Sequence, residues 1–455
     1  MRYRLFADVV HKARGPWHLF FHPQTLGWAV TDEAGAWVLE ALRSSRTVAQ
    51  VARKIAAQTG CGLPEVSAEV SRFIRSVTGA GLAEVVGRPR SCANGERPKG
   101  EEAPRPGSLY LHLTERCNLT CVYCYARPQR SRDYGTGKDL PFAVAKQALG
   151  EAKALGVKTV IVTGGEPLLH PRALDVLEEA KGHGFTVILL TNGLLVNNEL
   201  ARRLSACCDQ VTVSLDSASS ELHDLHRGRG THARVTEAIG LLKAAGVQEV
   251  VAAGVVTRHN QHEPYADFAG YAQKVGADRA SRQVYILQGD RRDEVLCPDF
   301  KTLLRRWEQE LEDTIVRGLG TVKRDSLAWR DRCGAAHGVI ALGADGVVYP
   351  CQGLMRGEFA AGNIGDALLE EIYAKAEVLN QVQAITVADI SACVDCEYRF
   401  ICGGGCRALA YNVHRSIAAP IPPEYCAFAR LLAEWKLWAA ALHGLASPCS
   451  TGLSL

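Results

Sequence analysis

The chain has 455 residues, a formal net charge of +3 at pH 7, 47% hydrophobic residues and 22% charged residues. This length predicts two to four domains, and the composition is that of a globular protein. The small net charge gives no electrostatic reason to expect nucleic acid as a partner. No apolar run reaches the length of a membrane span, and residues 1–14 lack a signal-peptide core. The sequence therefore predicts a cytoplasmic protein without a membrane partner.

Residues 1–86 form the first predicted domain. Two short apolar strands, at residues 17–21 and 26–30, precede three stretches in which apolar residues recur at three- and four-residue steps. A last strand at residues 82–86 completes the outline of a winged helix. The following segment, residues 87–107, is polar and rich in Pro and Gly, which predicts a linker.

A winged helix can bind DNA, and the third predicted helix, at residues 65–78, would then be the recognition helix. Its only cations are Arg72 and Arg75. Two cations are few for neutralising a phosphate backbone, and the sequence favours peptide recognition over DNA binding.

From residue 108 to residue 325, β-branched runs alternate with helical stretches. Strands separated by helices predict βα units and a parallel sheet, with the chemistry at the carboxyl ends of the strands. The six predicted strands are residues 109–114, 159–163, 187–191, 211–215, 250–257 and 283–287.

Beyond about residue 330 this alternation is lost, and residues 326–455 are predicted as a cysteine-rich domain ending in a helix. Sixteen cysteines in a chain without an export signal indicate metal ligation rather than disulfides. The seven spaced cysteines of this region are Cys333, Cys351, Cys393, Cys396, Cys402, Cys406 and Cys426.

Three further cysteines, Cys117, Cys121 and Cys124, lie in one loop directly after the first predicted strand. Their C-x3-C-x2-C spacing supplies three thiolates and no fourth. A 4Fe-4S cluster held by three thiolates keeps one iron free, and that iron can be chelated by the amino and carboxylate groups of S-adenosylmethionine. The alternative is a zinc knuckle with a remote fourth ligand.

With Tyr123 before its last cysteine, this loop resembles the signature of the radical S-adenosylmethionine superfamily. The resemblance implies a partial (β/α)6 barrel over residues 108–325, with an overall α/β fold. It also implies cleavage of S-adenosylmethionine to a 5'-deoxyadenosyl radical, with an electron supplied by a flavodoxin- or ferredoxin-type donor.

Polar residues at the strand ends match further motifs of that family. Gly164 and Gly165 would let a ligand approach the backbone, because they lack a Cβ. The resemblance assigns the segment from Gly164 to Pro167 to the methionyl amino group. The residues that it implies for cofactor binding are Tyr123, Gly164, Gly165, Glu166, Pro167, Ser214, Asp216, Arg227, Thr257 and Asn260.

Within this set, Arg227 is expected to pair with the cofactor carboxylate through its two-pronged geometry. Ser214 and Asp216 would contact the ribose and methionyl groups, and Thr257 and Asn260 would lie near adenine. His112 is predicted to be a packed core histidine rather than a catalyst.

The C-terminal cysteines resemble the SPASM extension, which holds two auxiliary 4Fe-4S clusters and would bring the total to three. The resemblance assigns Cys393, Cys396, Cys402 and Cys426 to one cluster. Cys333, Cys351 and Cys406 would hold the other, whose last iron would take His337, Cys297 or a substrate cysteine thiolate. A zinc ribbon is the alternative.

Residues 1–86 resemble the PqqD-like element that recognises ribosomal precursor peptides. There, the leader peptide adds as a strand to a hairpin edge and packs against the third helix. The predicted function is therefore a peptide maturase that forms a Cys thioether crosslink. The alternatives are carbon-carbon bond formation in a peptide, tetrapyrrole or other cofactor maturation, and a DNA-binding metal-cluster regulator.

Overall fold

The computed structural model describes residues 1–87, 105–126, 137–317 and 329–445, without the side chains of residues 314–317 and 441–445. Most of the predicted linker therefore lies outside the described residues. None of the described helices is both long enough and apolar enough to cross a membrane.

The N-terminal region contains two small antiparallel sheets and three helices. The elements are β1 (Arg2–Leu5), β2 (Val10–Arg14), β3 (Trp17–Phe21), β4 (Trp28–Thr31), α1 (Glu33–Ala41), β5 (Arg46–Thr47), α2 (Val48–Thr59), α3 (Leu63–Gly79) and β6 (Ala83–Val85). The two sheets have the strand orders β5-β1-β6 and β2-β3-β4. The sequence analysis did not predict strands β1, β2 and β5.

Strand β3 contributes to two hydrophobic cores because successive side chains of a strand face opposite ways. Phe20 packs into the core formed with α1, α2 and α3. Leu19 and Phe21 pack on the other face, in a core shared with the C-terminal helices, where the rings of Phe21 and Tyr398 lie 5.3 Å apart. Residues 1–86 are thus packed against the rest of the chain rather than separate from it.

Residues 108–284 form the predicted parallel sheet with crossover helices, and the α/β fold class is confirmed. The strands are β7 (Ser108–His112), β8 (Thr159–Thr163), β9 (Thr186–Thr191), β10 (Gln210–Ser214), β11 (Glu249–Val256) and β12 (Arg279–Val284). The helices are α4 (Phe142–Leu155), α5 (Ala173–Gly182), α6 (Asn198–Cys207), α7 (Ser220–Arg227), α8 (Thr231–Ala244), α9 (Tyr265–Lys274), α10 (Arg292–Leu296) and α11 (Phe300–Arg317).

The alternation of strands and α-helices is lost beyond residue 330, but the sheet continues there. Strand β13 (Val339–Leu342) pairs in parallel with β7, and β14 (Val347–Tyr349) and β15 (Gly362–Asn363) continue the same sheet in antiparallel pairs. The full order is β12-β11-β10-β9-β8-β7-β13-β14-β15. Cys333 therefore lies just before a strand of the main sheet, and Cys351 lies just after one.

Five further helices complete the C-terminal region. These helices are α12 (Leu369–Lys375), α13 (Glu377–Ala384), α14 (Arg399–Cys402), α15 (Arg407–His414) and α16 (Pro423–Leu445). The last helix, α16, packs against α11 and β4 around Trp307, Tyr425 and Trp438.

Candidate functional site

The loop with Cys117, Cys121 and Cys124 follows β7 at the carboxyl edge of the sheet. Its second half is tied to the protein by hydrogen bonds, from Val122 N to the His226 carbonyl at 3.0 Å and from Arg292 Nη1 to the Cys124 carbonyl at 2.7 Å. Cys117 is buried, whereas Cys121 and Cys124 are partly exposed. The three predicted ligands therefore lie on one anchored loop.

The two glycines after β8 pack against the backbone of this loop. A Cβ on Gly164 would lie 2.5 Å from the Thr114 carbonyl oxygen, and one on Gly165 would lie 1.9 Å from that of Arg116. Gly165 N also donates to Thr114 O at 2.6 Å, and Glu166 N donates to Arg116 O at 2.8 Å. The close contact between the two loops is therefore a second reason why glycine is needed at these positions.

Glu166 is a buried link between the ends of β8 and β9. Its carboxylate accepts hydrogen bonds from Thr191 Oγ1 at 2.7 Å and Asn192 N at 2.8 Å, and it caps the short 3-10 turn that Pro167 begins. Burial raises the pKa of Glu166, although these hydrogen bonds oppose the rise. Asn192 Nδ2 in turn donates to Asn118 Oδ1 in the cysteine loop at 2.7 Å.

Asp216 and Arg227 form a fully buried ion pair below the same loop. Arg227 donates through Nε and Nη2 to the two carboxylate oxygens at 2.8 and 3.2 Å, and the Tyr123 hydroxyl donates to Asp216 Oδ2 at 2.5 Å. Burial opposes the ionisation of Asp216, but the Arg227 guanidinium outweighs it and holds the pKa of Asp216 far below its usual range. The two-pronged geometry expected for a cofactor carboxylate is therefore used on Asp216.

Thr257 and Asn260 are buried and bonded within the protein. Asn260 Oδ1 accepts from Thr257 N at 2.8 Å, and its Nδ2 donates to the Asp216 carbonyl at 2.9 Å. Thr257 Oγ1 and His226 Nε2 lie 2.8 Å apart. Ser214 ends β10 and is half-buried. These predicted contacts lie at one edge of the sheet, and most of their polar groups bond to one another.

A cavity of about 160 Å³ lies beside the two glycines. His112, Thr114 and Gly164 line one side, and Asp345 and Tyr349 line the other. Burial raises the pKa of Tyr349 to about 12, and nearby Asp345 adds to this rise. The cavity is therefore bounded by the end of β7, by the two glycines after β8 and by the turn between β13 and β14.

The seven C-terminal cysteines fall into two sets by their electrostatic neighbours. Burial raises the pKa of Cys351 to about 12, and the nearby thiols of Cys333 and Cys406 add to the rise. We call Cys333, Cys351 and Cys406 the three-thiol set. Burial likewise raises the pKa of Cys393 to about 11, with contributions from Cys402, Cys396 and Cys426. These form the four-thiol set, Cys393, Cys396, Cys402 and Cys426.

Backbone N–H groups act on two of these sulfurs. Burial raises the pKa of Cys402 and of Cys406, and the rise is opposed by the N–H groups of Gly404 and Gly405 at Cys402 and by those of Ala408 and Leu409 at Cys406. Backbone N–H groups placed in this way favour the thiolate over the thiol. Both sets therefore fit an iron-sulfur cluster, which is bound by cysteine thiolates.

A single metal ion is a different case. Within the ranges that the structure describes, no group of three or more His, Cys, Asp or Glu is arranged to hold one metal ion. A cluster is larger than one ion, and its thiolate ligands lie further apart.

Cys297 and His337 are the two protein side chains suggested as the remaining ligand at the three-thiol set, and they lie in different parts of the structure. The groups that act on the Cys297 thiol are those of Tyr425, Asp293, Arg258 and Glu424, and the three thiols are not among them. His337 lies in the tight turn that follows Cys333.

Comparison with known proteins defines the class. Residues 111–272 match the model of the radical SAM superfamily. A curated relative is 31% identical over 328 residues, which covers 70% of this chain and 87% of the relative. The chain therefore belongs to the radical SAM superfamily, whose enzymes use S-adenosylmethionine and a 4Fe-4S cluster.

That relative is the mycofactocin maturase MftC of Mycobacterium ulcerans. The subtilosin biosynthesis protein AlbA of Bacillus subtilis is 30% identical, with 67% of this chain and 68% of AlbA covered. An AdoMet-dependent heme synthase of Methanosarcina barkeri is 28% identical, with 67% and 92% covered.

Two solved structures share the fold. The enzyme anSMEcpe with bound AdoMet has a TM-score of 0.60 at 21% identity, covering 74% of this chain and 99% of that one. Streptococcus suis SuiB bound to its precursor peptide SuiA has a TM-score of 0.57 at 15% identity, covering 93% and 99%.

Proposed function

We propose that the protein is a radical S-adenosylmethionine maturase that forms a Cys thioether crosslink in a ribosomally made peptide. The observation that carries the proposal is the similarity, at 31% and 30% identity, to two proteins of peptide maturation, MftC and AlbA. The seven C-terminal cysteines support the finer part of the proposal.

Cys117, Cys121 and Cys124 would hold the first 4Fe-4S cluster. With S-adenosylmethionine this group supplies a 5'-deoxyadenosyl radical, which removes a hydrogen atom from the substrate. The two thiol sets would hold the two auxiliary clusters, the first with three thiolates and the second with four. A flavodoxin- or ferredoxin-type protein would supply the electron.

The role of the surrounding residues is to fix the loop. The contacts of Glu166 and Asn192 hold the cysteine loop against β8 and β9, and the Tyr123–Asp216–Arg227 network holds it against β10. The cavity of about 160 Å³ beside the glycines is where a reacting carbon would be held.

The three-thiol set supports thioether formation in particular. A cluster with three protein thiolates has one iron that a cysteine of the peptide could bind. That cysteine would lose its thiol proton on binding, and its sulfur would then be held where the carbon radical can attack it. The electron left over when the C–S bond forms would pass into the auxiliary cluster. Cys297 is a weak competitor for this iron because its neighbours are Tyr425 and Asp293. His337 remains the protein side chain to test.

The N-terminal region supports recognition of a leader peptide. Strands β2 and β4 each leave one edge of their sheet unpaired with another described strand. An added peptide strand at such an edge gains backbone hydrogen bonds without a large complementary surface. Hydrogen exchange with and without the leader would locate the site, because the amides of the edge that binds become protected. No protection in residues 1–86 would contradict this role.

The reaction is tested with a peptide encoded by a short, cysteine-bearing reading frame beside the gene. The peptide is incubated anaerobically with the reconstituted protein, S-adenosylmethionine and dithionite. Each crosslink is expected to remove two hydrogen atoms and one alkylatable thiol, as measured by mass spectrometry with iodoacetamide. A Cys-to-Ser peptide is the control. Loss of two hydrogen atoms with the thiol retained would contradict thioether formation and favour a carbon-carbon bond.

A second candidate is the maturation of a tetrapyrrole, favoured by the 28% identity to a heme synthase. It predicts turnover of a porphyrin precursor without any peptide. The regulator alternative is not retained, because the superfamily is one of enzymes.

A further inference from the structure

Arg407 is a buried cation whose polar contacts are all backbone carbonyl oxygens. It follows Cys406 directly and is 2% exposed. Nη1 donates to Ile417 O at 3.0 Å and to Ala419 O at 2.8 Å, and Nη2 donates to Gly404 O. These bonds hold the guanidinium in one position.

That position is the junction of the two thiol sets. Cys402 belongs to the four-thiol set and Cys406 belongs to the three-thiol set, and only residues 403–405 separate them. These three glycines have φ angles of 71°, 85° and 75°, the left-handed region that glycine adopts without strain. The turn they form lies against the Arg407 side chain, which bonds to its carbonyl groups.

The charge of Arg407 has no carboxylate partner among the described residues, since none lies within salt-bridge distance. A buried charge without a counter-charge is costly. Arg227, by contrast, is paired with Asp216. Thiols of both sets lie near enough to act on the charge of Arg407, namely Cys333, Cys406, Cys393 and Cys402.

We propose that the Arg407 guanidinium is the counter-charge of both auxiliary iron-sulfur clusters and raises their reduction potentials. The inference rests on the proposed function, which supplies the two clusters. A cluster with thiolate ligands is anionic, and reduction adds a further negative charge. A fixed cation nearby therefore favours the reduced form. Arg407 acts through the clusters, so it is a positioning residue and not a catalytic one.

The test is a redox titration of the full-length, anaerobically reconstituted protein, followed by electron paramagnetic resonance. In R407Q, the reduced-to-oxidised ratio of the auxiliary clusters at a fixed potential should fall about tenfold, which is about 59 mV for one electron. R407K keeps the charge and should stay close to the wild type. The cluster at Cys117, Cys121 and Cys124 should not change. Arg399, a more accessible cation between Cys396 and Cys402, gives the control R399Q, in which solvent screening keeps the shift small.

Iron and sulfide are measured first. Unchanged potentials in R407Q with full iron, or equal shifts in R407Q and R407K, would overturn the inference alone. Wild-type iron sufficient for only one cluster would overturn the proposed auxiliary clusters and the inference with them. If R407Q loses auxiliary iron, retention by R407K supports the counter-charge, and loss by both variants overturns it.

Discussion

The edge of the parallel sheet and the C-terminal cysteine region balance their buried charges in different ways. At the sheet edge, Arg227 is paired with Asp216, and Glu166 is satisfied by Thr191 and Asn192. In the C-terminal region, Arg407 meets only carbonyl oxygens and thiols. The buried charge of Arg227 is balanced within the polypeptide, whereas that of Arg407 depends on the groups that the thiolates would bind.

The largest expected effect is on cofactor cleavage at the sheet edge. Replacing Cys117, Cys121 and Cys124 with Ala should reduce the formation of 5'-deoxyadenosine under reducing conditions to background, because no thiolate remains to hold the cluster. Product is measured by chromatography. C61A, at a cysteine of the N-terminal region, should retain full activity. Persisting 5'-deoxyadenosine in the triple variant would refute the assigned ligands.

Removal of iron tests the comparison directly. After chelation, residues 393–426 should lose much of their hydrogen-exchange protection, because the thiol sets and Arg407 lose their partners. Strands β8 to β11 should keep theirs, since their polar groups are bonded within the protein. Equal loss of protection in both regions would contradict the difference between them.

Neutralising Asp216 should destabilise the sheet edge. D216N leaves the buried Arg227 without its counter-charge and should lower the free energy of unfolding by about 3–5 kcal/mol. Urea denaturation measures the change. E237Q breaks the exposed Arg234–Glu237 pair and should cost about 0–1 kcal/mol. A cost for D216N as small as that of E237Q would show that Arg227 finds another partner.

The smallest expected effect is a pH dependence that arises from His223. This side chain is buried and accepts a hydrogen bond from Asp216 N at 3.2 Å through Nδ1, as the neutral ring does. Burial lowers the pKa of His223 to about 4 from 6.5. Its stabilising contribution is therefore complete above pH 6.5 and is lost as the pH falls towards 4.

In the wild type, the free energy of unfolding should fall by at most about 3 kcal/mol between pH 6.5 and pH 4 because of His223. Denaturation curves at the two pH values measure this fall, and it should be absent in H223Q. H414Q, at an exposed histidine, should keep the pH dependence of the wild type. An unchanged pH dependence in H223Q would assign the effect to another group.

The main strands were predictable because they are buried and β-branched. Strand β8 has the predicted bounds, residues 159–163. The last predicted strand, residues 283–287, is shifted, because the observed strand Arg279–Val284 is an edge strand with polar, exposed alternate positions. The short strands β13 to β15 were missed because no helices separate them.

The sequence also identified the polar strand ends but not their partners. Asp216, Thr257 and Asn260 share one edge, as expected where parallel strands end. Whether Arg227 faces a ligand or Asp216 depends on tertiary packing, which spacing does not encode. The hydrogen bond between Asn192 and Asn118 was not predicted, for the same reason. Arg407 is visible after Cys406, but its burial and its lack of a carboxylate partner are not.

The pairing of β13 with β7 has a mechanical consequence. The cysteine loop leaves the carboxyl end of β7, and the chain that carries Cys333 enters β13 next to the amino end of β7, where Val339 pairs with Ser108. A continuous ladder of backbone hydrogen bonds therefore joins the two regions without a hinge. Their separation is set by covalent and hydrogen-bond geometry, so only loop insertions or deletions could adapt it to substrates of a different size.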